Sequence, residues 1–252
     1  SNLLALQKAI KKMFKKEKSD IENLQRLQKM RSQFLANVSH ELRTPIFAIQ
    51  GYIETLLNGA LNDNNVNMHF LEKANQHTVS LSNLLNDLID ISMIESGEMR
   101  MSYRYFKINE LVNQVIQDNR KIAEDKNLEL IYIPSRDDLE VFGDKDKLRQ
   151  VLVNLILNSV KYTEKGKIEV LVEEEGKNAK IVVRDTGIGI PENYIDRIFE
   201  RFFRIDKARS RSQGGTGLGL AIVKHIIEAH NSKVAVTSKV GEGSEFSFLL
   251  KK

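Results

Sequence analysis

The helical part of the fold is decided by residues 70–91, whose sequence is FLEKANQHTVSLSNLLNDLIDI. Steps of four and three residues separate a series of mostly apolar positions in this stretch: Phe70, Ala74, His77, Leu81, Leu84, Leu88 and Ile91. Such steps place side chains on one face of an α-helix and form a seam against another helix. The spacing predicts a long helix that ends near Gly97, where a glycine can cap it.

A preceding helix is predicted up to about Leu57 by two apolar patterns. One is a 3-4-3 seam at Leu3, Leu6, Ile10 and Met13, and the other begins at Ile21 and continues through Phe34 and Val38 to Leu42. Pro45 should kink this helix or remove one backbone hydrogen bond. Asn58-Gly59 and Asn62-Asp63-Asn64-Asn65 then predict a polar turn. Two antiparallel helices cannot bury their seams alone, so we expect a homodimer that forms a four-helix bundle.

The composition is that of a folded protein without cysteine. Apolar residues make up 41% of the 252 residues and charged residues 29%, so enough apolar surface exists to offset chain entropy. The absence of cysteine excludes disulfides, thiolate metal sites and cysteine nucleophiles. The longest apolar run is four residues, whereas a membrane span needs about 20. We therefore expect a cytoplasmic location, with membrane attachment only through an upstream region absent from this sequence.

The net charge of +4 is concentrated at the N-terminus. Residues 1–33 contain nine Lys or Arg and three Asp or Glu, which leaves the rest of the chain slightly acidic. This distribution favours a solvated helix face over a nucleic-acid site, so we expect no nucleic-acid partner.

From about residue 101 the pattern changes to that of a mixed domain. Strands are predicted at 103–108, 128–133, 139–142, 167–174, 179–185, 233–238 and 244–250, and helices at 109–125, 144–162, 192–199 and 217–230. Asp144 is expected to cap the second of these helices. Together these elements predict an α/β layer with helices on one face of a sheet.

His40 is the first candidate for chemistry. On the predicted helix Val38 and Leu42 face the seam, so His40 points away from it. The adjacent Glu41 can fix the imidazole tautomer and accept a proton, which leaves the other ring nitrogen nucleophilic. Thr44 follows one turn later on the same face. Taken alone, a histidine on a helix surface is more often only a polar surface residue.

Two asparagines mark the helix predicted at 144–162. Asn154 and Asn158 are four residues apart and therefore share a face, and Lys161 and Tyr162 follow them. An amide oxygen is a hard ligand suited to a Mg²⁺ ion that arrives with substrate phosphates. The alternative is a pair of hydrogen-bonding surface amides.

Two glycine-rich segments suggest close backbone approach to a ligand. Asp185-Thr186-Gly187-Ile188-Gly189-Ile190-Pro191 follows a strand, and Gly214-Gly215-Thr216-Gly217-Leu218-Gly219-Leu220 opens a helix whose N-terminus suits phosphate. The second segment is neither a Walker loop nor a Rossmann turn. The polar loop between the segments could cover phosphates or simply be solvated, and its cations are Arg204, Lys207, Arg209 and Arg211.

In this order the motifs resemble those of sensor histidine kinases of two-component signalling. Residues 40–45 are similar to the H box, 154–163 to the N box, 185–189 to the first glycine box, 198–204 to the F box and 215–219 to the second glycine box. The resemblance covers roughly residues 30–250. It implies a dimeric helical hairpin followed by the Bergerat-type α/β sandwich of gyrase-type and Hsp90-type ATPases. It divides the chain into a coiled-coil signalling helix (1–33), a dimerisation and phosphotransfer domain (34–100) and a catalytic ATP-binding domain (101–252).

The resemblance also implies roles for individual residues. Asp185 would bind the adenine amino group, Asn158 would ligate Mg²⁺ beside Asn154, and Arg204 would face the γ-phosphate. The other nucleotide contacts would be Lys161, Tyr162, Gly187, Gly189, Gly215, Thr216, Gly217, Leu218 and Gly219.

The same resemblance implies the reaction. His40 would accept the phosphoryl group from ATP with Glu41 as its base, and would pass it to an aspartate of a response regulator. Thr44 would support removal of the phosphate from that regulator. One departure from the family pattern is His230-Asn231-Ser232, where relatives often have two glycines. Asparagine tolerates the left-handed conformation.

Two other functions are compatible with parts of the sequence. A chaperone- or topoisomerase-like ATPase would use the glycine boxes but would leave His40, Glu41 and Thr44 without a role. An inactive dimeric scaffold would leave the nucleotide residues without one. Acid-labile phosphate on the protein would distinguish a histidine kinase from the ATPase. Nucleotide binding would distinguish it from the inactive scaffold.

Overall fold

The computed structural model describes residues 2–205 and 216–252. The side chains of residues 2–12, 15, 19, 23, 26 and 27 are not described, so most of the seam predicted at residues 3–13 lies outside the described side chains. The chain divides into two compact units, Ser1–Leu81 and Ser82–Lys252. The domain boundaries predicted at residues 33 and 100 stay predictions.

The first unit is a helical hairpin. Helix α1 (Asn2–Leu57) is followed by a 3-10 turn (Ala60–Asn62) and by helix α2 (Asn67–Ser96), whose first half belongs to this unit. The Tyr52 ring lies 6.0 Å from that of Phe70 and 5.8 Å from that of His77. These contacts confirm the antiparallel packing of the two helices and the packing role of His77.

Helix α1 continues without a break through Pro45. Proline has no N–H, so the carbonyl of Glu41 loses its helical donor. The hydroxyl of Thr44 donates to the carbonyl of His40, one residue before Glu41, at 3.3 Å.

One face of α1 carries large apolar side chains that are exposed within a single chain. The members of this apolar stripe are Phe14, Ile21, Leu24, Leu35, Ile46, Ile53 and Leu57. Their steps of 7, 3, 11, 11, 7 and 4 residues are close to whole numbers of helical turns, so the side chains share one face. His40 lies about a third of a turn away from that face.

Helix α2 ends as the sequence predicts. Gly97 has a φ of 72°, its N–H donates to Ile94, and the N–H of Glu98 reaches the carbonyl of Met93 at 3.0 Å. This pair of bonds is the Schellman motif, which requires a left-handed residue at the position of Gly97.

The second unit contains the end of α2 and an α/β layer. Its further helices are α3 (Ile108–Glu124), α4 (Lys145–Tyr162) and α5 (Gly219–Ala229). Its strands are β1 (Arg104–Lys107), β2 (Leu128–Ile133), β3 (Glu140–Gly143), β4 (Gly166–Glu175), β5 (Asn178–Asp185), β6 (Ala235–Lys239) and β7 (Gly243–Lys251). Strands β1 and β3 form an antiparallel pair, and the main sheet has the order β2-β4-β5-β7-β6 with only β2 and β4 parallel.

The helices pack on one face of this sheet, as predicted. Along β5 the side chains of Ala179, Ile181 and Val183 are fully buried, and Asp185 continues this alternating set at the end of the strand. Asp144 caps α4 by accepting hydrogen bonds from the N–H groups of Asp146 and Lys147, at 3.1 and 3.0 Å. This cap confirms the predicted start of α4.

The prediction of a helix at 192–199 is wrong. The segment contains only a 3-10 turn, Glu192–Tyr194, followed by further turns. Most of its backbone bonds link residues three apart, such as Arg197 to Tyr194 at 2.9 Å. A segment this short gains little from an isolated α-helix, so tertiary contacts of residues such as the buried Ile198 decide its path.

Candidate functional site

A cavity of about 320 Å³ opens in the second unit beside α4, β5 and the start of α5. Six of the predicted site residues line it: Asn158, Lys161, Tyr162, Asp185, Gly189 and Arg204. They come from three separate segments of the chain. Much of the remaining wall is apolar, including Ile188, Ile190, Ile198, Phe203, Leu220 and Phe246, and it suits a flat aromatic ligand.

Asp185 provides a buried carboxylate in the cavity wall, with only 6% of the residue exposed. Its Oδ1 accepts the N–H of Gly187 at 2.9 Å and that of Ser244 at 3.3 Å, and its Oδ2 accepts the hydroxyl of Ser159 at 3.2 Å. Burial raises the pKa of Asp185, and these three hydrogen bonds partly offset the rise. The carboxylate is therefore held in a fixed orientation.

Asn154 and Asn158 lie one turn apart on α4, but their side chains have different surroundings. Asn158 lines the cavity, whereas the Nδ2 of Asn154 donates to the carbonyl of Gly219 at 3.4 Å. Asn154 therefore links α4 to the start of α5.

The donor set around Asn158 suits a metal ion that arrives with its ligand. No cluster of three or more His, Cys, Asp or Glu capable of holding a metal exists among the described residues. A single amide oxygen fits Mg²⁺ only when phosphate oxygens supply further ligands.

Lys161 and Arg204 make part of the cavity cationic. The pKa of Lys161 is lowered to about 8, first by burial and then by the positive charges of Arg204 and Lys126. The ammonium group of Lys126 donates to the carbonyl of Val160 at 2.9 Å, near the end of α4. Two cations facing one cavity favour an anionic ligand.

The first glycine box depends on its glycines. Gly189 has a φ of 70°, and a Cβ on it would lie 2.1 Å from the carbonyl oxygen of Lys239. A Cβ on Gly187 would lie 2.5 Å from the carbonyl oxygen of Tyr162. A side chain at Gly189 would therefore displace the backbone at Lys239, and one at Gly187 would displace the backbone at Tyr162 and crowd the Asp185 carboxylate.

The second glycine box lies at the start of α5. Gly217 has a φ of 72°, and its carbonyl accepts the N–H of Phe202 at 2.9 Å. The side chain of Leu218 is fully buried, so only its backbone can serve a ligand. Gly219 begins the helix, and Thr216 bonds to Asp87 at 2.8 Å. Gly215 and the predicted loop cations Lys207, Arg209 and Arg211 lie outside the described residues.

Ser159, Ser244 and the apolar wall of the cavity were not predicted from the sequence. One signal was present for Ser159, because it continues the apolar face formed by Leu148, Val151, Leu152, Leu155 and Ile156. A hydroxyl at a core-facing position requires a polar partner, and that partner is Asp185. No comparable pattern marks Ser244, which meets Asp185 only through the pairing of β5 with β7.

His40 belongs to the first unit and is well exposed, with 57% of its side chain accessible. Its Nδ1 lies 3.9 Å from Oε1 of Glu41. Thr44 follows one turn later with its hydroxyl on the His40 carbonyl. The three predicted residues of this motif therefore share one region of the helix surface.

Comparisons with known proteins match both parts of the chain. Residues 30–97 match the His Kinase A (phospho-acceptor) domain, and residues 143–252 match the histidine kinase-, DNA gyrase B-, and HSP90-like ATPase family. The catalytic domain of histidine kinase ThkA is 31% identical with a TM-score of 0.54, and the similarity covers 97% of that domain and 60% of this chain. The chain belongs to the sensor histidine kinases.

Other relatives extend the likeness over most of this kinase. The sensor protein kinase WalK of Staphylococcus aureus is 38% identical over 234 residues, which cover 92% of this chain and 56% of that protein. In Staphylococcus haemolyticus the matched region is 38% of WalK, so the chain spans about half of these relatives or less. Histidine kinase AdeS of Acinetobacter baumannii has a TM-score of 0.69 at 26% identity, covering 84% of this chain and 97% of AdeS.

A solved complex also resembles this kinase. Histidine kinase ThkA bound to the response regulator protein TrrA has a TM-score of 0.69 at 28% identity, covering 87% of this chain and 61% of that one. Among the helices of the kinase that the structure describes, none combines the length and apolar character required for a membrane span.

Proposed function

We propose that this histidine kinase binds Mg²⁺-ATP in the cavity, transfers the γ-phosphoryl group to His40 and passes it to an aspartate of a response regulator. The observation that carries this proposal is the convergence of Asp185, Asn158, Lys161 and Arg204 on one largely apolar cavity. A buried carboxylate suits the exocyclic amino group of adenine, and the cations suit a polyphosphate.

The residues of the cavity would act by positioning and by neutralising charge, which phosphoryl transfer chiefly requires. Asp185 would accept a hydrogen bond from the base, and Lys161 and Arg204 would offset phosphate charge. Mg²⁺, when bound at Asn158 together with the phosphates, would neutralise charge that develops on the phosphoryl oxygens.

His40 would act as the nucleophile. A lone pair on one ring nitrogen forms the new P–N bond while the bond between the γ-phosphorus and the β,γ-bridging oxygen breaks, and ADP leaves with that electron pair. Glu41 faces Nδ1 at 3.9 Å. It would accept the imidazole proton, which leaves Nε2 as the attacking atom.

The kinase would act as a homodimer, and the apolar stripe of α1 supports this proposal. Ile53→Glu changes a residue that is exposed in a single chain, so it should dissociate the protein only if a second copy covers that residue. Thr55→Glu, also exposed but about half a turn away, is the matched control. Light scattering that shows an intact dimer for Ile53→Glu would contradict the proposed four-helix bundle.

The solved complex of ThkA with TrrA supports a response regulator as the partner. The position of Thr44 one turn after His40 supports an additional activity, removal of phosphate from that regulator. Both phosphotransfer to the regulator and removal of its phosphate require the regulator that pairs with this kinase.

Labelling with γ-phosphate-labelled ATP tests the central proposal. The wild-type protein should acquire an acid-labile label, and His40→Gln should acquire none while it still binds nucleotide. ATP hydrolysis without any label on the protein would instead support the gyrase- or Hsp90-like alternative. Failure of the folded protein to bind nucleotide would support the inactive scaffold.

A further inference from the structure

The last turns of α2 contact the α/β layer of the second unit through three acidic side chains. Asp87 accepts a hydrogen bond from the hydroxyl of Thr216 at 2.8 Å. Asp90 contacts Lys147 at 2.8 Å and Gln150 on α4, and Glu95 pairs with Arg201.

Among these three described contacts, only that of Asp87 reaches the second glycine box. The hydroxyl proton of Thr216 points to Asp87, while the Oγ1 of Thr216 accepts the N–H of Leu218 at 3.1 Å. Two donors at the start of α5 are therefore engaged within the protein. A helix N-terminus binds phosphate through such donors, so this arrangement opposes phosphate binding.

The charge of Asp87 acts in the same direction. Asp87 is half-buried, and burial raises its pKa, a rise that its bond to Thr216 partly offsets and that nearby Asp90 reinforces. A carboxylate beside the glycine box would repel a polyphosphate placed there, and partial burial reduces the screening of that repulsion.

We propose that Asp87 is a positioning residue that holds Thr216 and Leu218 in a nucleotide-free arrangement, and that a polyphosphate must displace it from the glycine box. The contact of α2 with Thr216 and the binding of triphosphate then compete, so nucleotide loosens the end of α2 from the α/β layer. This inference rests on the proposed function, because it assumes that the nucleotide phosphates occupy the second glycine box.

Asp87→Asn tests the inference, because it removes the charge and retains an oxygen that can accept the Thr216 hydroxyl. Calorimetric titration of the whole chain with ATP and with adenosine separates the phosphate contribution from that of the base. We expect ATP to bind about three- to tenfold more tightly to Asp87→Asn than to the wild type. Adenosine, which has no phosphates, should bind equally to both.

Asp90→Asn is the matched control, because it lies one turn further along α2 and contacts α4 instead of the glycine box. It should change the ratio of ATP to adenosine affinity much less than Asp87→Asn does. In a Thr216→Val background, the effect of Asp87→Asn should shrink, since the hydroxyl that links the two residues is gone. Thermal melts and circular dichroism establish that each variant is folded.

Unchanged or weaker ATP binding by folded Asp87→Asn would overturn the inference, as would an equal change in adenosine affinity. These outcomes leave the proposed function intact as long as the wild type binds ATP. A wild-type protein that binds neither ligand would instead overturn the proposed function and this inference with it.

Discussion

The hydroxyl of Ser159 donates a hydrogen bond to the carboxylate of Asp185 at 3.2 Å, and both residues are buried. Ser159 lies next to Asn158 on α4, so the helix that presents the proposed metal ligand also orients the proposed base-binding carboxylate. The two proposed subsites therefore depend on the same helix.

We predict that Ser159→Ala weakens binding of ATP and of adenosine by a similar factor of about ten, because a hydrogen bond to a charged group is lost. The substitution should also raise the pKa of Asp185 further, since one of the bonds that offsets its burial disappears. Titration calorimetry with both ligands measures the effect. Ser244→Ala is the control, because it keeps the backbone N–H that contacts Asp185. Loss of ATP affinity alone would contradict a role at the base.

Lys161 should make nucleotide affinity depend on pH. Its pKa is about 8 in the nucleotide-free protein, so it loses its charge as the pH rises through that value. Bound phosphate favours the charged form, and ATP binding should therefore take up a proton above pH 8. We predict that ATP affinity falls between pH 7 and 9.5.

Lys161→Met provides the comparison for this pH dependence. The variant should bind ATP more weakly at pH 7 and should lose most of the decline above pH 8. Calorimetry in buffers of different ionisation enthalpy counts the protons directly. Proton uptake of equal size in wild type and variant would assign the dependence to another group.

Thr44→Ala should separate the two proposed activities of the His40 region. Dephosphorylation of a regulator requires an oriented water molecule, whereas autophosphorylation uses the His40 nitrogen itself. We predict that phosphatase activity falls at least about tenfold while substantial kinase activity remains. Thr44→Ser, which keeps the hydroxyl, should retain both activities. The phosphorylated cognate regulator and labelled ATP measure the two rates on one preparation.

A purely structural role for Thr44 predicts a different result. Its hydroxyl bonds to the carbonyl of His40 and could support the helix near Pro45. In that case Thr44→Ala would lower helix content and reduce both activities in parallel.

His230 should make the second unit less stable in acid. Its Nε2 accepts the N–H of Asp144 at 2.9 Å and its Nδ1 contacts the carbonyl of Ile226 at 2.7 Å, so the folded protein requires the neutral ring. Burial lowers the pKa of His230 from its usual 6.5. The hydrogen bond to the Ile226 carbonyl and the charge of Asp144 raise this pKa and offset part of the decrease. The unfolded chain then binds more protons, and the free energy of unfolding should decrease as the pH falls below about 6.5.

Urea titrations of wild type and His230→Gln at pH 7.5 and pH 5.5 measure this dependence. The variant should be less stable at pH 7.5 and should lose less stability on acidification. Part of the dependence should persist, because burial also lowers the pKa of His225. An identical loss in both proteins would exclude His230 as its source.

Local sequence rules predicted most of the regular elements. Apolar spacing identified α1 and α2, Asp144 identified the start of α4, and Gly97 identified the end of α2. Asn231 adopts the predicted left-handed conformation with a φ of 55°. These features follow from interactions between residues a few positions apart, which a sequence displays directly. The prediction of a helix at 192–199 failed because the conformation of that segment depends on contacts with residues distant in the sequence.

For the site, the sequence by itself determined which residue types could perform the chemistry: a histidine beside a carboxylate, paired asparagines and two glycine boxes. Only the tertiary structure decided which of them meet in one cavity, how Ser159 and Ser244 hold Asp185, and that Asp87 engages Thr216. The separation of 129 positions along the chain from Asp87 to Thr216 shows the physical reason. Hydrogen bonds across such a separation depend on the packing of whole helices against a sheet, and no local pattern of residues encodes that packing.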